Sequence, residues 1–127
     1  MTHPLVVLQA GLVAAWREAG LAAFDAPPAG SVPPYVVIGR HDVLPRDGDA
    51  APGYEHRLLL HVWAEGASRK AVVALAGSAV DAALEAALDG DLRVTLRRHD
   101  RTDTAIDAVT GRARAAVSMT FYTEQDS

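Results

Sequence analysis

The chain has 127 residues, 50% of them hydrophobic and 22% charged, which is ordinary for a folded domain and leaves room for one core. Its formal net charge of −4 gives it no global electrostatic drive toward DNA, RNA or an anionic membrane. It has no cysteine, so disulfide frameworks, thiolate metal sites and cysteine nucleophiles are excluded.

Taken in chain order, the first fifteen residues have no Lys or Arg ahead of their apolar run and contain His3, Pro4 and Gln9, a poor match to a signal peptide. Synthesis in the cytoplasm is expected, and no apolar run approaches the ~20 residues that cross a bilayer. Pro4 suits the first turn of a helix, and Leu5, Leu8, Leu12, Ala15, Trp16 and Ala19 recur at helical spacing until Gly20. Ala22 to Phe24 reads as a short extended piece. Pro27, Pro28, Gly30, Pro33 and Pro34 then forbid continuous helix or central strand. Tyr35 to Ile38 is a strand that Gly39 to Val43 prolongs past an irregularity at the glycine, with Pro45 ending it.

The segment from Arg46 to Gly53 has the composition of an exposed loop between strands. Tyr54 to Glu65 alternates, placing Tyr54, Leu58, Leu60, Val62 and Ala64 on a core face and Glu55, Arg57, Leu59, His61, Trp63 and Glu65 on the other. Ser68 caps a second helix with an apolar stripe of Val73, Ala76, Val80, Ala83, Leu84 and Ala87, closed by Asp89 and Gly90. Two further alternating runs form a hairpin: Leu92, Val94 and Leu96 face inward on one, and Ala113, Ala115, Val117, Met119 and Phe121 on the other. The connection from Asp103 to Gly111 is expected to project as a tip. The order of elements predicts a single α+β domain over residues 1–127, a mainly antiparallel sheet of about four strands with two helices packed on one face.

Candidates for chemistry are few. The five histidines are His3, His41, His56, His61 and His99; His56 and His61 point to opposite faces of one strand, and no HExxH or His-x-His occurs. They read as structural or surface groups. Glycines fall singly at turns, without a G-x-G-x-x-G or Walker-type run, so nucleotide cradling is unsupported. Asp81 and Glu85, four apart on the second helix, read as a solvated polar edge. No catalytic residue, metal site or cofactor follows, and the chain reads as a non-enzyme.

The main charged feature is Arg93, Arg97, Arg98, His99 and Arg101, joined across the hairpin by Arg112 and Arg114. Strict alternation would bring Arg93, Arg97, His99 and Arg101 onto one face. A nucleic-acid-binding module centred on Arg93, Arg97 and Arg101 is one reading, but aromatic stacking partners and a basic domain are missing. A solvated sheet edge and a subunit interface are the others, arginine being favoured at contacts between chains. Leu59, His61 and Trp63 share the strand face turned away from the helices, an apolar and aromatic strip that subunit association explains better than exposure to water.

Three segments in this order resemble one known family: the opening helix Leu8 to Trp16, the run Pro33-Pro34-Tyr35-Val36-Val37-Ile38-Gly39, and the run Glu55-His56-Arg57-Leu58-Leu59-Leu60-His61-Val62-Trp63. The alanine-rich helix and the closing strands, with Gly111-Arg112-Ala113-Arg114 leading into the last, continue the pattern. Together they are similar to the tail-completion, or tail-terminator, proteins of long-tailed phages and of the gene transfer agents derived from them. The resemblance implies an α+β subunit that assembles as a ring, usually hexameric, on the end of the tail tube, stops its polymerisation and receives the head connector. It implies three partners, further copies of the chain, the tube protein and the connector, with DNA crossing the lumen without specific binding. No catalytic motif belongs to it.

Overall fold

The computed structural model describes residues 3–24, 26, 29–46, 52–88 and 92–125. Their elements are α1 (Pro4–Glu18), β1 (Ala23–Phe24), β2 (Tyr35–Pro45), β3 (Gly53–Trp63), α2 (Arg69–Glu85), β4 (Leu92–Ile106) and β5 (Ala113–Gln125). Pro27, Pro28, Asp89, Gly90 and most of the expected loop after Arg46 lie outside the described residues; the base of that loop is closed by a 2.8 Å bond from the Arg46 amide to the Gly53 carbonyl.

Helix α1 begins on Pro4, with the His3 ring accepting the Leu5 amide at 3.0 Å, and ends before Gly20, whose φ of 88° suits a residue without a Cβ. Leu8, Leu12 and Trp16 form its buried stripe, and the Trp16 indole donates to the Ala79 carbonyl at 2.9 Å, tying α1 to α2. Helix α2 is capped by the Ser68 hydroxyl, which accepts the Ala71 amide at 3.0 Å. Its buried stripe is Val72, Ala76, Ala79, Val80 and Ala83. The expected phase is therefore off by one residue at its ends: Val73 and Leu84 are exposed, and the helix stops at Glu85.

Among the described residues the sheet has five strands, not four, in the order β1-β2-β3-β5-β4. The extra strand is the two-residue β1, which lies parallel to β2; the other pairings are antiparallel. Both helices cover one face. Val36 and Ile38 of β2, Leu58, Leu60 and Val62 of β3, and Ala113, Ala115, Val117, Met119 and Phe121 of β5 pack there with the helix stripes as a single core. Among the described residues no element covers the opposite face, and the residues of opposite parity line it.

Three β-bulges set which side chains reach which face. Gly39 and Arg40 together oppose Leu59, so β2 changes parity and His41 turns to the helix face that Val36 and Ile38 occupy. Two more interrupt β4, between Val94 and Leu96 and between His99 and Arg101. The first puts Leu96 opposite Tyr122 on the open face, where the sequence pattern had turned it inward. It also turns Arg97 and His99 to the helix face, opposite Phe121 and Met119, while Arg98 reaches the open face opposite Thr120. The second returns Arg101 to the open face, opposite Ser118. The expected single face of Arg93, Arg97, His99 and Arg101 is thus split, because each bulge adds one residue to a period-two pattern.

Candidate functional site

The open face of the sheet divides into an aromatic end and a charged end. At the aromatic end one row crosses the strands: Tyr35 pairs with Trp63, Trp63 with Arg114, and Arg114 with Ala105. The Arg114 guanidinium lies 5.8 Å from the Trp63 ring centre, within cation–π range. His61 sits in the next inward row, between Val37 and Ala116. Its imidazole lies across the bulge glycine, so close that a Cβ at Gly39 would fall 2.7 Å from Nε2. Burial and the Arg114 charge push the His61 pKa down, which keeps the ring neutral. Its Nδ1 is buried without a hydrogen-bond partner.

At the charged end four arginines each hold a carboxylate two residues away on the same strand, a spacing that puts both on one face. The pairs are Arg40–Asp42 at 2.9 Å, Arg57–Glu55 at 2.6 Å, Arg98–Asp100 at 2.5 Å and Arg101–Asp103 at 2.9 Å. Arg93 bonds Glu124 across the β4–β5 ladder instead. Thr120 donates to Asp100 at 2.6 Å; burial pushes the Asp100 carboxyl up, but the bonds from Thr120 and Arg98 outweigh it and hold the carboxyl below its ordinary range. Arg46 stacks on Tyr122, 4.0 Å from its ring centre. Arg40, Asp42, Glu55, Arg57, Arg98 and Asp100 border an open groove of about 510 Å³ floored by Leu59, Ser118 and Thr120. Exposed pairs of this kind add little to stability. What they do is neutralise the guanidinium groups and fix their directions.

Of the residues singled out in the sequence, Leu59, His61, Trp63 and Arg114 come together at or beside the aromatic end, and Arg101 joins the row of Leu59 and Ser118. Arg93 lies farther along the same face, opposite Glu124. Arg97 does not belong: it donates to the Ala83 and Leu84 carbonyls at 3.2 and 3.0 Å and so caps the C-terminal end of α2. Arg112 lies in the hairpin connection, its carbonyl accepting the Asp107 amide at 2.9 Å. That connection is shorter than expected, because β4 runs to Ile106.

Sequence reasoning missed a second polar constellation on the helix face. Gln9 Nε2 donates to His41 Nδ1 at 3.1 Å, His41 Nε2 to His56 Nδ1 at 2.8 Å, and His56 Nε2 to the Thr123 hydroxyl at 2.8 Å. The amide at one end fixes both rings as Nε2–H tautomers. Burial drives both histidines down to a pKa of about 4, the mutual proximity of the rings and of His3 adding to it for His56, and Asp42 partly opposing it for His41. A hydroxyl beside a neutral imidazole has the chemistry of a nucleophile and its base. Here His56 is 0% and Thr123 1% exposed, so no substrate reaches either, and the chain satisfies buried polar groups instead. The signal available in the sequence was His56 itself, a polar residue at a core-parity position of β3.

Among the described residues no cluster of three or more His, Asp or Glu is arranged to hold a metal ion, and no helix is long and apolar enough to cross a membrane. The family model described as Tail completion protein gp17 matches residues 9–124. The chain belongs to the tail completion family. This agrees with the resemblance carried by the opening helix and the β2 and β3 runs, and makes the chain a structural protein of phage-like tails. A chain in the solved structure titled "Virion of native gene transfer agent (GTA) particle" has the same fold, with a TM-score of 0.78 over 97% of this chain and 99% of that one, at 21% identity. No curated protein matches.

Proposed function

We propose that the chain is the ring-forming subunit that closes the end of a phage-type tail tube, stops tube polymerisation and receives the head connector. The observation that carries this reading is the uncovered sheet face. Among the described residues helices shield one side only, and the other presents half-buried Trp63, His61 and Leu59 beside arginines already neutralised by carboxylates. Such a surface suits contact with another folded surface better than it suits chemistry.

A closed ring needs two unlike patches on each subunit that meet after a fixed rotation. We assign Leu59, His61, Trp63 and Arg114 to one patch, and Arg93 and Arg101 to a second contact with ring or tube neighbours. The ring is a hexamer in this reading, made in the bacterial cytoplasm and built into a phage or gene-transfer-agent particle, with DNA crossing its lumen unbound. It acts by shape: one surface fits the growing end of the tube, and the other accepts no further tube subunit.

The nucleic-acid alternative loses its main support in the pairing of its residues. Arg93 and Arg101 hold Glu124 and Asp103, and Arg97 holds the end of α2. Light scattering across a wide concentration range, with negative-stain electron microscopy of the chain alone and mixed with tail tubes, tests the ring. Closed rings, free or seated on tube ends, are the expected result. A chain that stays monomeric and leaves tube ends open overturns the reading.

A further inference from the structure

The row Tyr35–Trp63–Arg114–Ala105 marks one end of the sheet, and two unlike features sit on its opposite flanks. On the β4–β5 flank the hairpin continues past the row as a tight tip. Asp107 accepts both the amide and the hydroxyl of Thr110 at 2.8 Å, the Gly111 amide bonds the Asp107 carbonyl at 2.8 Å, and Gly111 takes the left-handed conformation at φ 72°. The Asp107 carboxyl is held below its ordinary range by the bonds from Thr110, so the clasp stays ionised. This rigid turn holds Ala108 and Val109 out to solvent, Val109 at 93% exposure. A β-branched apolar residue at the apex of a turn built so firmly contributes nothing to its own core.

On the β2 flank the same end of the sheet carries a hole. A pocket of about 280 Å³ opens between the turn after α1, the start of β2 and helix α2, lined by Leu21, Ala22, Pro34, Tyr35, Val62 and Leu75. Its lining is mostly apolar and its size admits a valine side chain with its neighbouring methyls. Strand β3 lies between β2 and the hairpin, so within one subunit knob and hole stand two or more strand spacings apart, on the order of 10 Å. The tip therefore cannot fill its own pocket. Charges of both signs are available to a meeting between copies: Asp107 and Arg112 flank the tip, and exposed Arg17 and Glu18 precede Gly20 of the pocket lining.

We infer that the Ala108–Val109 tip of one copy of this chain seats in the Leu21–Tyr35–Leu75 pocket of the next copy. The inference rests on the ring reading and adds, to the patches assigned there, an anchor between neighbouring copies. Two different patches, at one level of the sheet and on opposite flanks, give the head-to-tail relation that repeats by rotation and can close. The tip alone is far smaller than the roughly 800 Å² per partner of a stable interface, so it serves as the anchor of a wider contact.

The absence of cysteine makes the test direct. Val109→Cys and Ala22→Cys alter exposed positions, so both variants are expected to fold, which circular dichroism checks. Mixed, assembled and mildly oxidised, they should give a covalent dimer whose linked peptide joins positions 109 and 22, since bridged Cα atoms must come within about 7 Å. Val109→Cys mixed with Val73→Cys, exposed on α2, should link far less. Val109→Asp should raise the concentration needed for assembly about tenfold without changing the thermal midpoint. Rings that form without the 109–22 link, or a Val109→Asp chain that assembles like the parent, overturn this contact and leave the ring reading standing. A parent chain that never associates, even on tube ends, overturns both.

Discussion

His41 on β2 donates to His56 on β3 across 2.8 Å, and a proton added to His56 Nδ1 would point straight at the His41 Nε2–H. The pair therefore has one stable protonation state, in which both rings are neutral. Folded, both histidines have a pKa of about 4 against an ordinary value of 6.5, so the unfolded chain takes up protons first as the pH falls. Their contribution to stability is complete above the unfolded value, declines as the pH drops below it, and is lost through the folded value. The fold is therefore expected to be less stable at about pH 5 than at about pH 7.5, the two rings titrating as one coupled pair. Urea unfolding at those two pH values measures it, and equal midpoints would contradict the buried pair.

Gly39 and His61 make a similar close fit on the open face. The imidazole occupies the space that a Cβ at Gly39 would need, and the bulge fixes the backbone beneath it. Gly39→Ala is expected to push the half-buried His61 ring aside and destabilise the fold by about 1 kcal/mol, the low end of the usual overpacking cost. Gly39→Ala combined with His61→Ala should recover part of that loss, because the clashing ring is gone. A double-mutant cycle by chemical denaturation reads the coupling.

Arg97 and Arg101 look equivalent in the sequence and are not equivalent in the fold. Arg97 satisfies two carbonyls at the end of α2, where a positive charge also opposes the helix dipole. Arg97→Ala should cost about 1–3 kcal/mol. Arg101 is largely exposed and holds only Asp103, so Arg101→Ala should leave the thermal midpoint unchanged and affect assembly alone.

The contrast between those two arginines shows where the sequence was legible. Strand β3 has one register irregularity opposite it and none within it, so its alternation placed Leu58, Leu60 and Val62 inside and Leu59, His61 and Trp63 outside. Strand β4 carries two bulges that no composition cue marks, as they fall at Thr95–Leu96 and Asp100–Arg101 rather than at glycines. Period-two reading failed between them, from Leu96 to His99, and held again from Arg101. In β2 the glycine did mark the irregularity, but the consequence, His41 joining His56, depends on a diagonal across the ladder that sequence spacing does not give. Helix α2 slipped by one residue because its buried side is mostly alanine, with Val72 and Val73 equally able to lead the stripe until the sheet selects one. The two-residue β1 was visible as an extended piece, and its pairing with β2 was not.

The pairing of the arginines also makes a prediction about nucleic acid. Phosphate contacts require guanidinium groups that can exchange a solvent or counterion partner for a phosphate. On this face Arg40, Arg57, Arg98 and Arg101 each sit within 2.9 Å of a carboxylate that a phosphate would have to displace. Fluorescence anisotropy with short duplex DNA at low salt should show no saturable binding. Tight binding with a steep salt dependence would favour the nucleic-acid-binding module over the ring.

Trp63 separates folding from assembly most cleanly. Its ring lies on the open face, paired in register with Tyr35 and Arg114, and the core beneath β3 is built from Leu58, Leu60 and Val62 without it. Trp63→Ala removes the contact of two half-buried side chains, Trp63 and Arg114, worth about 1 kcal/mol, so the fold should survive with a lower thermal midpoint. In the ring, an aromatic anchor at an interface centre carries about 2 kcal/mol or more, enough to shift association at least tenfold. The expected outcome is a folded variant that needs a higher concentration to form rings, or that fails to cap tails in a particle-assembly assay. If the folded variant assembles at the parent concentration, Trp63 lies outside the interface, and the patch must be sought farther along the face, toward Arg101 and Arg93.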